Sequence, residues 1–244
     1  RYTTTGKVLG QVTSGDSLVA GQIHAIDAKR GEMLFEGYGG GKGNPYYRKY
    51  YRVSLQGKGQ RCLTPDEADH ELELAPDKEH FVLKSSRMDL PPRWSAGSWK
   101  EQKFALHQLD SVPRSLLVQA GWQAPQLLQL KSADGGTNLY GVLYLPSDFD
   151  PTKKYPIITN VYPGPQADLV PRSFSLDDNG NQSLAELGCV VMNVSPRGSS
   201  PYRGRDFYNF STGRLRDYPL ADDKASIEQV ARLYPAVDLD RVGI

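Results

Sequence analysis

Two cysteines in 244 residues are too few for a disulfide framework. Cys62 and Cys189 also lie too far apart in the chain for a zinc knuckle or a redox pair, so both are expected as small buried hydrophobes. An excess of charge of one sign is missing as well: 29 basic residues stand against 28 acidic ones, a net of +1, and the basic residues are spread rather than blocked. A surface that tracks a phosphate backbone needs clustered cations, so nucleic acid is not an expected partner. No run reaches about 18 uncharged apolar residues, and the first residues, RYTTTGKVLG, lack an apolar signal core. No membrane span is expected in the part shown. The four histidines, His24, His70, His80 and His107, show no zinc-site spacing and are read as turn or surface residues. No metal or cofactor is expected. A Gly-x-Ser-x-Gly nucleophile motif occurs nowhere, including around Ser199 and Ser200.

What is present divides into two grammars. Up to about Asp110, short strand-like runs such as KVLGQVTSG, QIHAIDAKRGEMLFEGYG, YYRVSLQGKGQRCLT, HELELAPDKEHFVLKSS and KFALHQLD alternate with polar turns, DAKRG and QGKG among them. This pattern fits a radial or a sandwich all-β architecture. The glycines of GYGGGKGNP precede YYRKYYRV rather than a helix, so they are read as a mobile loop and not as a phosphate cradle. Asp66 and Glu67, after Thr64 and Pro65, are read as turn residues.

From about Pro125 the pattern becomes α/β. LLQLKSADGGTNLYGVLYLP predicts a hairpin turned by DGG, while KYPIITNVYPG and CVVMNVSPRG predict strands buried on both faces. Between those strands NQSLAELG predicts a short helix closed by Gly188. PLADDKASIEQVARLYP then predicts a longer helix, with Leu220, Ile227, Val230 or Ala231, and Tyr234 on its apolar face and Asp222 and Asp223 at its N-terminus. RVGI is the next strand. The linking segment DSVPRSLLVQAGWQAP predicts a short helix anchored by Leu116, Leu117 and Trp122. The expected domains are residues 1–120 and 121–244.

Open α/β sheets hold their sites at strand exits. Tyr162, in Tyr-Pro-Gly-Pro after an apolar strand, could donate to an oxygen acquiring negative charge, or could be a packed strand tyrosine. Arg197, in SPRGSS, could bind a carboxylate or tie loops together through an ion pair. The triplets at Asn181, Asn193 and Asn209 fit the glycosylation pattern, but Asn193 falls in an expected buried strand, so they carry little weight on localisation.

YYRVSLQGKGQRCLTPDEADHELELAPDKEHFVLKSSRMDLPP, YGVLYLPSDFDPTKKYPIITNVYPGPQ and RGSSPYRGRDFYNFSTGRLRDYPLADDKASIEQVARLYPAVDLDRVGI together resemble the prolyl oligopeptidase superfamily, specifically the dipeptidyl-peptidase IV group of serine peptidases and its bacterial relatives. The resemblance implies terminal blades of a β-propeller followed by the first half of an α/β-hydrolase domain. It implies a serine exopeptidase that releases dipeptides from short oligopeptides, plausibly after Pro or Ala. Alternatives are a tripeptidyl- or acylaminoacyl-peptidase, an esterase of the same fold, or an inactive binding protein. In similar proteins a strand such as DRVGI leads into the nucleophile elbow, with the triad aspartate and histidine following. This chain is therefore expected to be a fragment, inactive alone, that needs the remainder of the catalytic domain as a partner beside short peptide substrates. Tyr162 matches the family's oxyanion-hole tyrosine and Arg197 a supporting arginine near the site rim; Asp217 and Asp223 match acidic structural positions. Ser195 stands where relatives often carry an acid. By the same resemblance a periplasmic or secreted location and a possible homodimer are expected, with the propeller restricting access to the site.

Overall fold

The structure, a computed structural model, describes every residue except Lys42, 163–166, Leu169 and 215–217, together with the side chain of Tyr218. The expected role of Asp217 therefore lies outside the described residues. The chain forms two compact units: Arg1–Arg87, Pro92–Val112 and Tyr202–Gly204 make the first, and Met88–Pro91, Pro113–Pro201 and Arg205–Ile244 the second.

The first unit is built from antiparallel four-stranded sheets. Strands β1 (Val19–Asp27), β2 (Glu32–Tyr38), β3 (Lys49–Ser54) and β4 (Arg61–Cys62) follow one another in space as in sequence, and so do β5 (Asp69–Leu74), β6 (His80–Arg87), β7 (Leu90–Ser98) and β8 (His107–Ser111). Sequential order is what short polar turns permit. At the first of them Asp27 Oδ1 accepts the Lys29 and Arg30 amides, both at 3.0 Å, and Asp77 does the same for Glu79 and His80 before β6. Leu34, Tyr50, Leu63, Phe81, Leu83 and Trp99 form one buried cluster.

Several expectations need correction here. The run KVLGQVTSG forms no strand, only a single bridge between Tyr2 and Val8. Strand β7 escaped notice because Pro91 and Pro92, which cannot donate to a ladder, argue against a strand. His70 is fully buried rather than at a turn or on the surface: its ring bonds Ser85 Oγ at 2.8 Å, and Nε2 lies 3.3 Å from Asp66. Asp66 also pairs with Arg93, and Glu67 with Lys49, so both acids do more than shape a turn. The cysteines are free and only half-buried.

The second unit has helix α1 (Arg114–Gln119) and a five-stranded sheet of order β13-β11-β12-β10-β9, from β9 (Gln126–Lys131), β10 (Asn138–Tyr144), β11 (Tyr155–Thr159), β12 (Val190–Ser195) and β13 (Val237–Gly243). The hairpin β9–β10 turns at Gly135, whose φ of +74° suits glycine. β10 runs antiparallel to both neighbours, whereas β11 runs parallel to β12 and β13. Helix α2 (Asn181–Ala185), closed by Gly188 at φ +91°, connects β11 to β12. The short α3 (Arg205–Tyr208) and then α4 (Tyr218–Leu233) connect β12 to β13.

All six residues of β12 are buried, because the strand has a core on each face. Val190, Met192 and Val194 join Leu139, Leu143, Ile157, Ile227 and Val230 on one side; Val191 joins Val142, Tyr144 and Ala185 on the other. Each such side chain contributes about 1.5–3 kcal/mol on burial. The expected apolar face holds for Ile227, Val230 and Ala231 of α4 and for Tyr234 just past its end, but Leu220 is exposed. In the connector Trp122 meets Phe174 edge-on at 5.5 Å, while Leu116 is exposed.

Gly141 of β10 sits where a Cβ would come within 2.4 Å of the Asn193 carbonyl oxygen and 2.9 Å of Val194 Cα. Backbone cannot move aside as a side chain can, so Gly141→Ala is expected to destabilise the second unit by about 1–3 kcal/mol. Urea unfolding measures it, and an unchanged midpoint would contradict the close approach.

Candidate functional site

Open α/β sheets hold ligands in a crevice at the C-terminal ends of their parallel strands. β11 is the central parallel strand here. The crossover from β11 through α2 leads to β12 on one side of it, and the crossover from β12 through α4 passes to β13 on the other. Asn160, Val161 and Tyr162 leave the sheet at this point.

The exit is fixed from below. The Asn160 amide donates to the Met192 carbonyl at 2.8 Å, continuing the β11–β12 register, and its side chain donates to Asn181 Oδ1 at 2.8 Å. Asn181 in turn donates to Asp178 at 2.8 Å. Asn181 and Asn193 are both buried, which accounts for their poor value as glycosylation signals.

Tyr162 is 57% exposed, so it is not a packed strand tyrosine. It lines a small crevice with Asn160, Ala167, Asn193, Ser195 and Asp223 among its walls. An exposed phenol on a rigid strand end is a hydrogen-bond donor available to a ligand.

Arg197 is 8% exposed and its guanidinium is occupied. Nε and Nη2 donate to the two oxygens of Asp222 at 2.9 and 2.8 Å, Nη1 donates to Asp134, and the group lies 4.0 Å above the Phe210 ring. These bonds, that to Asp222 foremost, raise the Arg197 pKa, and the Asp134 carboxyl is held well below its usual range by Ser132 and Arg197. Such an arginine holds loops in place. The carboxylates that meet Arg197 are those of Asp222 and Asp134, from α4 and the β9–β10 turn.

Asp222 and Asp223 do not cap α4, because the helix begins at Tyr218 and places them past its first turn. Asp223 instead accepts from Thr159 Oγ1 at 2.8 Å, and burial pushes its carboxyl pKa up against that bond. An acid with a raised folded-state pKa stabilises the fold below its unfolded pKa, and that contribution is lost as pH rises through the folded value. Asp223→Asn, which keeps an oxygen for Thr159, is therefore expected to raise Tm near pH 7, with the gain vanishing below about pH 4. A gain of equal size at both pH values would count against this account.

Sequence reasoning passed over Asp168. Its carboxylate accepts from Ser195 Oγ at 3.3 Å and Ser200 Oγ at 3.2 Å, and burial, opposed by Arg172, raises its pKa. No motif marks it; the signal lay only in a lone acid between apolar residues. Among the described residues, no group of three or more His, Cys, Asp and Glu is placed to hold a metal ion. No described helix is long and apolar enough to cross a membrane.

Residues 1–92 match the family described as the dipeptidyl peptidase IV (DPP IV) N-terminal region. Across 96% of its length the chain is 30% identical to dipeptidyl peptidase 8 of Mus musculus, covering 27% of that protein. It is 24% identical over 91% of its length to the uncharacterized peptidase YuxL of Bacillus subtilis, covering 34% of it. The crystal structure of Porphyromonas gingivalis dipeptidyl peptidase 4 superposes on the whole chain with a TM-score of 0.78 at 21% identity, and the chain covers 33% of that structure. The chain thus spans about a quarter to a third of the length of these proteins. The first unit thus has the fold of the propeller blades of such peptidases, and the chain is similar along its length to the dipeptidyl-peptidase-IV-like group of the prolyl oligopeptidase family.

Proposed function

We propose that the protein carrying this chain is a serine exopeptidase that removes dipeptides from the N-terminus of short oligopeptides, after Pro or Ala, with Tyr162 as an oxyanion donor. The observation that carries this reading is the exposed phenol of Tyr162 just past the C-terminal end of β11, the strand flanked by the parallel strands β12 and β13. The second unit supports it as the first half of an α/β-hydrolase domain, since Gly243 of β13 pairs with Ile158 of β11. A nucleophile turn following β13 would then emerge beside the Tyr162 exit.

The chemistry needs a serine, a histidine and an aspartate from the remainder of the catalytic domain; the 244 residues alone are not expected to hydrolyse peptides. The serine oxygen bonds to the scissile carbonyl carbon while its proton passes to the histidine, which the aspartate orients. The carbonyl electron pair moves onto oxygen, where the Tyr162 hydroxyl and a backbone N–H receive it. Collapse expels the amine, which takes the proton back, and water then releases the acyl product by the same steps.

Short peptides are the proposed partners, with a homodimer and a periplasmic or secreted location extending the same likeness. Profiling the full-length protein on dipeptidyl, tripeptidyl, acetylated-aminoacyl and short acyl-ester substrates tests the reading. Preference for dipeptidyl amides with a free amino terminus is expected. Preference for tripeptidyl, acylated or ester substrates would reassign the activity, and no hydrolysis by protein that binds peptides would make it a binding protein.

A further inference from the structure

We propose that Asn160 is a positioning residue for Tyr162, held at the end of β11 by a buried relay of hydrogen bonds through Asn181 and Asp178 to Tyr144. That role presupposes the oxyanion role of Tyr162. Asn160, Val161 and Tyr162 follow one another in the chain and line one crevice. With the Asn160 amide bonded to the Met192 carbonyl and its side chain to Asn181, both at 2.8 Å, the backbone is pinned two residues before the phenol. Beyond that anchor only a few backbone torsions and the Tyr162 side chain separate the pinned residue from the hydroxyl. A β-branched residue such as Val161 favours extended backbone and narrows that freedom further.

The relay has a direction. Asp178 is buried, and its Oδ2 accepts from the Tyr144 hydroxyl at 2.5 Å and from Asn181 Nδ2 at 2.8 Å. Burial, and after it the bond to Asp178, raise the Tyr144 pKa, so the phenol stays a donor. Asn181, itself buried, gives its amide hydrogen to Asp178 and so turns its oxygen to Asn160, which must donate. The backbone just before Asn181 is left-handed: Asp178 and Asn179 have φ of +44° and +57°, and Gly180 follows at +91°. Such residues persist where their surroundings hold them, and they cluster at functional sites. Here they deliver Asn181 to the exit of β11. Both donors reach the same Asp178 oxygen, so an amide oxygen there serves them equally, and asparagine tolerates the left-handed backbone as well. A methyl group accepts from neither. An acid at position 160 fails for a different reason: whichever way the Asn181 amide turns, one contact in the relay sets oxygen against oxygen.

Loss of the anchor lets the phenol wander relative to the developing oxyanion, and a misplacement of about 1 Å can cost on the order of 100-fold in rate. In the full-length protein Asn160→Ala is accordingly expected to lower kcat about 10- to 100-fold with KM nearly unchanged. Asn160→Asp should resemble it. Asp178→Ala should lower kcat in the same way, and Asp178→Asn should restore most of the loss. A double-mutant cycle with Tyr162→Phe separates positioning from the role beneath it. If Tyr162→Phe alone leaves kcat unchanged, the oxyanion role fails, and the positioning role with it. If Tyr162→Phe lowers kcat and Asn160→Ala costs little further in that background, the positioning role stands. Full additivity of the two, or an Asn160→Ala with unchanged kcat, would overturn it while leaving the Tyr162 role intact. Should Asn160→Ala fail to fold, the Asp178 variants decide: kcat no higher in Asp178→Asn than in Asp178→Ala would equally overturn the proposal.

Discussion

Asp222→Ala is expected to destabilise the second unit by about 3–5 kcal/mol, as breaking a buried ion pair from one side does. Asp222 is fully buried and accepts the Ala133 amide at 2.9 Å, the Arg197 amide at 3.2 Å, and Nε and Nη2 of Arg197. Its removal strands two amides and leaves a buried guanidinium with Asp134 and the Phe210 ring as its remaining partners. Asp134 is well exposed and cannot match the lost bonds. The β9–β10 turn, the loop after β12 and α4 lose their shared anchor together. Urea unfolding of the variant measures the effect, and a loss below about 1 kcal/mol would mean that Asp222 behaves as a surface acid.

The second large effect falls on rate. Tyr162→Phe removes one hydroxyl from an exposed side chain, so stability should stay within about 0.5 kcal/mol. Under the proposed mechanism kcat for amide substrates should fall about 100- to 1,000-fold, or 2.7–4 kcal/mol of transition-state stabilisation. KM should change little, because the donor is used when charge develops on the oxygen and not when the neutral carbonyl binds. Steady-state kinetics of the full-length variant decides it. A raised KM at unchanged kcat would make Tyr162 a ground-state contact.

Much of this arrangement was legible in the residues. The apolar runs of β11 and β12, the DGG turn and the stripe of Ile227, Val230 and Tyr234 are local signals, and local signals suffice for element type. Tyr162 could be located because it follows an apolar strand. What stayed hidden was nonlocal. Asp222 and Asp223 read as helix caps because sequence shows nearness to a helix start, not a partner at Arg197 or Thr159. His70 gave no sign of burial, since its partner Ser85 lies across a hairpin. β7 was concealed by its prolines, whose local preference the surrounding strands override. The partners of Arg197 were equally hidden, since Asp222 and Asp134 lie 25 and 63 residues away in the chain.

The most direct measurement is a structure of the full-length protein with a dipeptidyl boronate, whose tetrahedral adduct on the nucleophile mimics the intermediate. The Tyr162 hydroxyl should lie about 2.7–3.1 Å from the boronate oxygen that stands for the oxyanion. A hydroxyl directed away from that oxygen, or a boronate bound with no contact to the end of β11, would contradict the account.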